Sequence, residues 1–226
     1  MTQAVDLANA INGFVVGCKQ DGIWDAIKAC CIMAAWDGLD GALYPLKGAA
    51  PTKFGTEVGW NYNRETGLQG NGTDNYLESN RNNNADPQDS KHISIYASSW
   101  GTATAGFIGT NATLSGDTQL YANNGTGTKF IRLNNTSFYS TNEVTTSPFM
   151  GASRNSSSEF TFRLNATSNS VSRPSDIPSN RTIRVFQHLA YTDARLAFYS
   201  IGESLDLAKL DTRVSNLITA IGAAIP

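Results

Sequence analysis

The 226-residue chain sets 17 Lys and Arg against 19 Asp and Glu, a net charge of -2 at pH 7 with a pI near 5.7. With no Lys/Arg run and no apolar run approaching a membrane span, neither nucleic acid nor a bilayer is an expected partner. Three cysteines (Cys18, Cys30, Cys31), odd in number and all near the N-terminus, exclude a secreted disulfide framework, and without a second pair or nearby histidines they exclude a zinc site.

Residues 3–18 place Ala4, Leu7, Ala8, Ile11, Phe14, Val15 and Cys18 on one face at helical spacing. Asp21-Gly22 breaks this helix, and Ile23, Trp24, Ile27, Cys30, Cys31 and Ala34 predict a second one, completing an N-terminal helical hairpin over residues 1–35. The cysteines are then small core residues on helices. The N-terminus lacks a basic segment followed by an unbroken apolar one, so no cleavable export signal is expected.

Residues 36–203 are rich in Gly, Asn, Ser and Thr, and only 16% of the chain is charged. Strands are predicted at 43–46 and 56–61, followed by a hairpin in which Leu68 and Tyr76-Leu77 flank a turn of Gly70, Asn71, Gly72 and Asp74. After a polar loop at 81–90, His92–Trp100 alternates as a strong strand. Further strands fit 104–109, 118–122, 128–133, 136–140, 147–152, 159–164 and 181–190, separated by turns at 123–127, 155–158 and 173–180. About ten strands at intervals near ten residues imply an antiparallel two-sheet sandwich. The N-x-S/T triplets at Asn71, Asn111, Asn124, Asn165 and Asn180 follow from this composition.

Near the end, two strand-like runs, 183–189 and 196–201, are joined by a polar turn at Thr192-Asp193. Ser204 is the expected N-cap of a helix with Asp206 in its first turn. Leu207, Leu210, Val214, Leu217 and Ile221 form a narrow apolar stripe on it. Burying five such side chains contributes roughly 8–15 kcal/mol gross, less than the cost of ordering the helix, so residues 204–226 must dock on the sandwich or on a neighbouring subunit.

The helical N-terminus, the Gly70/Gly72/Tyr76/Leu77 element, the HISIY strand at 92–96 and the RLAFYSIGESLD segment leading into the last helix together resemble tailed-bacteriophage virion structural proteins with a concanavalin A-like lectin/glucanase (laminin-G-like) jelly roll. The resemblance covers roughly residues 20–222. It implies a mainly β fold: an antiparallel two-sheet jelly-roll sandwich with an N-terminal helical hairpin and a C-terminal amphipathic helix. It also implies a capsid decoration or tail-associated subunit, assembled in the host cytoplasm and acting through other virion proteins and copies of itself. The interface would be Leu207, Leu210, Val214, Leu217 and Ile221 with Leu7 and Ile11.

The enzymatic branch of that fold needs two carboxylates about 5–5.5 Å apart. Between Lys91 and Pro174 the acids are Asp117, Glu143 and Glu159, and no E-x-D pair occurs, so no enzyme and no catalytic residue are expected. Asn71, Asp74 and Asn75, or Asn82–Asn84 with Asp86 and Asp89, carry oxygen donors but lack EF-hand spacing, and they read as turn residues; no metal or cofactor is expected. His92 and His188 fall on strands without a G-x-S-x-G elbow, and the glycines at 70–72 do not open a phosphate-binding helix. The alternative function is a glycan-binding, lectin-like module on a virion surface, contacting a host glycan. Trp60, Tyr62, Tyr76, Tyr96, Trp100 and Tyr121 suit stacking on sugars, with Trp60, Tyr62, Trp100 and Tyr121 as the candidate contacts.

Overall fold

The computed structural model describes residues 2–123 and 127–225. Two antiparallel sheets face each other across one core, as expected of a β-sandwich. Asn124 and the middle of the predicted turn at 123–127 lie outside the described residues.

The larger, nine-stranded sheet runs in the order Thr167–Ser172, Glu159–Leu164, Phe149–Arg154, Lys91–Ser99, Arg195–Gly202, Ile27–Ile32 and Pro45–Lys47, with Gly67–Gln69 and Asn61–Asn63 extending from the start of Arg195–Gly202. The seven-stranded sheet runs Tyr139–Thr141, Thr128–Asn135, Asp117–Asn123, Ala105–Thr110, Thr182–Val185, Tyr76–Asn82 and Thr52–Phe54. Alternation sets the layers: Ile93, Ile95, Leu120, Ile131, Leu133, Ile183, Val185 and Leu77 meet in the core.

The outer face of the nine-stranded sheet is covered by the N-terminal helix (Thr2–Gln20) and the C-terminal helix (Leu207–Ala224), which pack on each other. Leu207, Leu210, Val214, Leu217 and Ile221 are buried there with Phe14, Cys18, Ile27, Cys30, Phe149 and Phe198. The helix caps on Asp206, whose carboxylate accepts from Ala208 N (2.9 Å) and Lys209 N (3.2 Å); Ser204, the expected cap, bonds Ser90 instead. Arg213 pairs with Asp21 at 2.7 Å and Arg163 with Asp211 at 2.8 Å, tying the helices to their surroundings.

The second arm of the expected helical hairpin is a strand. Ile27–Ile32 pairs with Arg195–Gly202, sending Ala29 and Cys31 into the core and Ile27, Cys30 and Ile32 toward the helices. A strand buried on both faces reads as a continuous apolar run, which mimics a helical stripe. All three cysteines are buried, and burial pushes Cys18 up to about 12 and Cys31 to about 11.

One expected hairpin and one expected pair of turn-linked strands also fail. Gly67–Gln69 and Tyr76–Asn82 lie in different sheets, so the turn at 70–75 crosses the sandwich. The run at 183–189 leaves the seven-stranded sheet at Phe186, where φ is 70°, and folds into a small hairpin, Gln187–His188 with Ala190–Tyr191. Arg195–Gly202 then enters the opposite sheet. The expected strand at 56–61 is a 3-10 turn, Glu57–Gly59, between two short strands. Thr167–Ser172 was not anticipated: it is an edge strand whose only buried side chain is Val171.

Buried charge joins the layers. Lys91 donates to Asp86 at 2.7 Å with both side chains wholly enclosed, and Arg81 also pairs with Asp86. Burial disfavours the charge on Asp86, yet Arg81 and Lys91 hold its carboxyl below the usual range, while burial pushes Lys91 down to about 8. Arg154, fully buried, gives its guanidinium to the carbonyls of Leu133, Ser156, Glu159 and Arg173 at 2.9–3.0 Å, bridging the two sheets.

Candidate functional site

Among the described residues no helix packs on the outer face of the seven-stranded sheet, and several of its outward positions are aromatic. Phe54 and Tyr76 are opposite each other on adjacent strands and stack with centroids 4.9 Å apart and planes 7° from parallel. Tyr191, from the small hairpin, stands 6.2 Å from Tyr76. Arg184 lies over the Tyr76 ring at 4.5 Å and donates to Glu78 Oε1 (2.9 and 3.2 Å) and Gln187 Oε1 (2.8 Å), which fixes its fork.

A second cluster occupies the other side of the hairpin. Tyr121 and Phe130 are cross-strand partners with rings 5.4 Å apart, and Phe138 stands 5.8 Å from Phe130. His188 fits between, 6.0 Å from Tyr121 and 6.3 Å from Phe138, and its Nδ1 donates to Thr110 O at 2.7 Å. Burial holds its imidazole below its ordinary value. Tyr76, Tyr191, Tyr121, Phe130 and Phe138 are half-buried and Phe54 is exposed, giving amphipathic rings with polar neighbours.

The sequence-derived residues divide between this face and the interior. Tyr121 and Tyr76 belong to it. Trp60 packs edge-on against buried Phe186, Trp100 against Phe107, and Tyr62 donates its hydroxyl to Trp36 O at 2.6 Å; all three brace the core. Tyr96 packs on the helix side. Phe54, Phe130, Phe138 and Tyr191 were missed because only the strand register shows which aromatics share a face. Of the expected assembly residues, the five on the C-terminal helix pack inside this chain, whereas Leu7 and Ile11 line an apolar groove of about 700 Å³ with Val15 and Trp36.

Other chemistry-bearing groups serve the fold. His92 Nδ1 donates to Glu203 O (2.6 Å), its Nε2 accepts from Ser200 Oγ (2.9 Å), and Ser200 accepts from Ser94 (2.7 Å). This has the order of a nucleophile and base, but all three residues are wholly buried, and burial pushes His92 down to about 4. Asn71 Oδ1 accepts from the backbone of Thr73, Asp74 and Asn75, and Asp74 accepts from Thr56, as turn residues do. Among the described residues no three His, Cys, Asp or Glu side chains gather as metal ligands would.

No protein-family model matches this chain, and no curated protein matches it. Solved structures do. The botulinum neurotoxin serotype D binding domain superposes with a TM-score of 0.57 at 12% identity, over 85% of this chain and 51% of that one. The binding domain of botulinum neurotoxin DC in complex with SialylT gives 0.55 at 14%, over 87% and 51%. A botulinum neurotoxin type C structure, described as entering cells through two ganglioside molecules, gives 0.56 at 13%, over 88% and 52%. What they share with this chain is the fold. The chain spans about half the length of each.

Proposed function

We propose that this chain is a non-enzymatic binding module that recognises a glycan through the outer face of its seven-stranded sheet. The observation that carries the reading is the aromatic surface itself: Phe54, Tyr76 and Tyr191 on one side of a hairpin, Tyr121, Phe130 and Phe138 on the other. Phe54, exposed and stacked on Tyr76, offers apolar area to the C–H side of a pyranose, and the Arg184–Glu78–Gln187 network adds donors and acceptors for its hydroxyls. Two of the structurally similar toxin structures are described with SialylT or gangliosides, which supports a glycan as the ligand, and another is described in complex with rat synaptotagmin II. A glycan array probed with the whole chain tests the reading: hits lost on Tyr76→Ala and Tyr121→Ala support it, and an array without hits removes it.

The matched toxin domains lend no support to the virion assignment. A second reading, assembly of copies of this chain, retains one surface. It is the groove of Leu7, Ile11, Val15 and Trp36 beside the N-terminal helix, with Arg64 and Asp37 at its rim. Sedimentation of wild type against Leu7→Asp/Ile11→Asp tests it: a mass that falls with the substitutions favours assembly, and a monomer in both removes it.

A further inference from the structure

Among the described residues the two large sheets end in five edge strands, and four of them are blunted. Pro45–Lys47, Thr52–Phe54, Asn61–Asn63 and Tyr139–Thr141 are three residues each, and the first two carry Lys47, Lys53 and a proline. Short length, lysine and proline are what keep an open edge from pairing. Thr167–Ser172 has none of these. It is six residues long, TSNSVS, without charge or proline, and it pairs with Glu159–Leu164 through six consecutive residues without a bulge. Among the described residues no backbone hydrogen bond joins it to any other element. Its outward N–H and C=O groups, on alternate residues, are a template for another strand.

The strand is complementary to itself. Val171 and Asn169 face the core opposite Phe160 and Phe162, whereas Ser168, Ser170 and Ser172 are exposed on the side that carries the helices. A second copy meeting this edge antiparallel is related by a two-fold axis normal to the sheet, so opposite residues project to the same face. Two registers centred on the strand satisfy this. Ser170 lies opposite itself with Ser168 opposite Ser172, or Asn169 lies opposite itself with Ser168 opposite Ser170. In both, the helix-side seam is serine against serine, small hydroxyls that donate to and accept from one another. Like charges stay apart. Arg163, on the neighbouring strand, is held by Asp211 at 2.8 Å, and Arg173 stands at opposite ends of the seam in the two copies.

We infer that Thr167–Ser172 is a pairing edge along which two copies of this chain join antiparallel, so that one nine-stranded sheet continues into the other. The helices cover one face of that sheet and the seven-stranded sheet covers the other. The axis therefore leaves both helical layers on one side of the pair and both aromatic outer faces on the opposite side. Two faces presented together engage a multivalent surface more tightly than either does alone. This seam is separate from the groove at Leu7 and Ile11, and the pairing itself does not rest on the glycan reading.

The test is sedimentation of the full chain over about a hundredfold range of concentration, with amide hydrogen exchange at both ends of the range. The variants are Ser170→Lys and Leu7→Asp/Ile11→Asp. Ser170 is exposed, and in either register a lysine there faces its own copy directly or one diagonal away. The expected result is a mass of two copies that falls on dilution, with amides of alternate residues in 167–172 protected only in the pair. Ser170→Lys should raise the dissociation constant about tenfold or more, and the Leu7/Ile11 variant should leave it unchanged. A monomer throughout overturns the pairing. So does a pair lost in the Leu7/Ile11 variant but kept in Ser170→Lys, which assigns assembly to the groove. Edge amides that exchange alike at every concentration also overturn it, and that readout needs no variant. Pairing as expected beside an empty glycan array leaves this inference standing and removes the glycan reading alone.

Discussion

His188 sits directly on Gly106. A Cβ at Gly106 would overlap that of His188 and come within 2.8 Å of its backbone nitrogen, so the hairpin lies flat on the sheet only because this position carries no side chain. Gly106 faces Tyr121 across the strands, so the same contact positions His188 between the aromatic rings. Gly106→Ala should lift the hairpin, destabilise the fold by about 1–3 kcal/mol and disturb ligand contacts at Tyr121. Chemical denaturation and the proton spectrum of the Tyr121 ring measure both effects.

Stability should fall between pH 6.5 and about 4 because of His92. The unfolded chain takes up its imidazole proton near 6.5, whereas burial delays uptake in the folded protein to about 4. The contribution is therefore complete above the upper value and lost as pH falls through the window, about 3 kcal/mol in all. Urea unfolding at several pH values should show this slope, flattened in His92→Gln.

Leu210 and Leu217 are 0% and 2% exposed against the chain's own core. Leu210→Ala should cost about 2–5 kcal/mol, and Leu210→Asp should unfold the helix layer. Leu7→Asp and Ile11→Asp, at half-buried positions, should cost far less. Thermal melts of the four variants separate a structural stripe from an assembly surface.

Arg154→Met removes a guanidinium that satisfies four carbonyls and spans the sheets. Leaving those acceptors buried should cost on the order of 3–5 kcal/mol, measurable as a lowered denaturation midpoint with the outer aromatic face unchanged.

The sandwich was legible because its central strands alternate: Ile93 and Ile95 against Ser94 and Tyr96 announce a strand with two different faces. Ile27–Ile32 misled because both its faces are apolar, one toward the core and one toward the helices. Thr167–Ser172 stayed hidden because an edge strand needs only Val171 inside. The aromatic face was half visible. Tyr121 and Tyr76 were candidates, but Phe54 joins Tyr76 only through a pairing between residues far apart in sequence, and Trp60, Tyr62 and Trp100 are absorbed by packing. The left-handed turn at Phe186, which sends the chain from one sheet to the other, has no glycine to mark it.

The outer aromatic face is the central claim, and calorimetry of one array-selected glycan against four proteins tests it most directly. Wild type and Tyr44→Ala, a substitution at an exposed ring outside the face (70% exposed), should bind alike. Phe54→Ala and Tyr76→Ala should each lose about tenfold or more in affinity, since truncating a stacked ring removes on the order of 1–3 kcal/mol. Equal affinity across all four, with all four folded, would contradict the account.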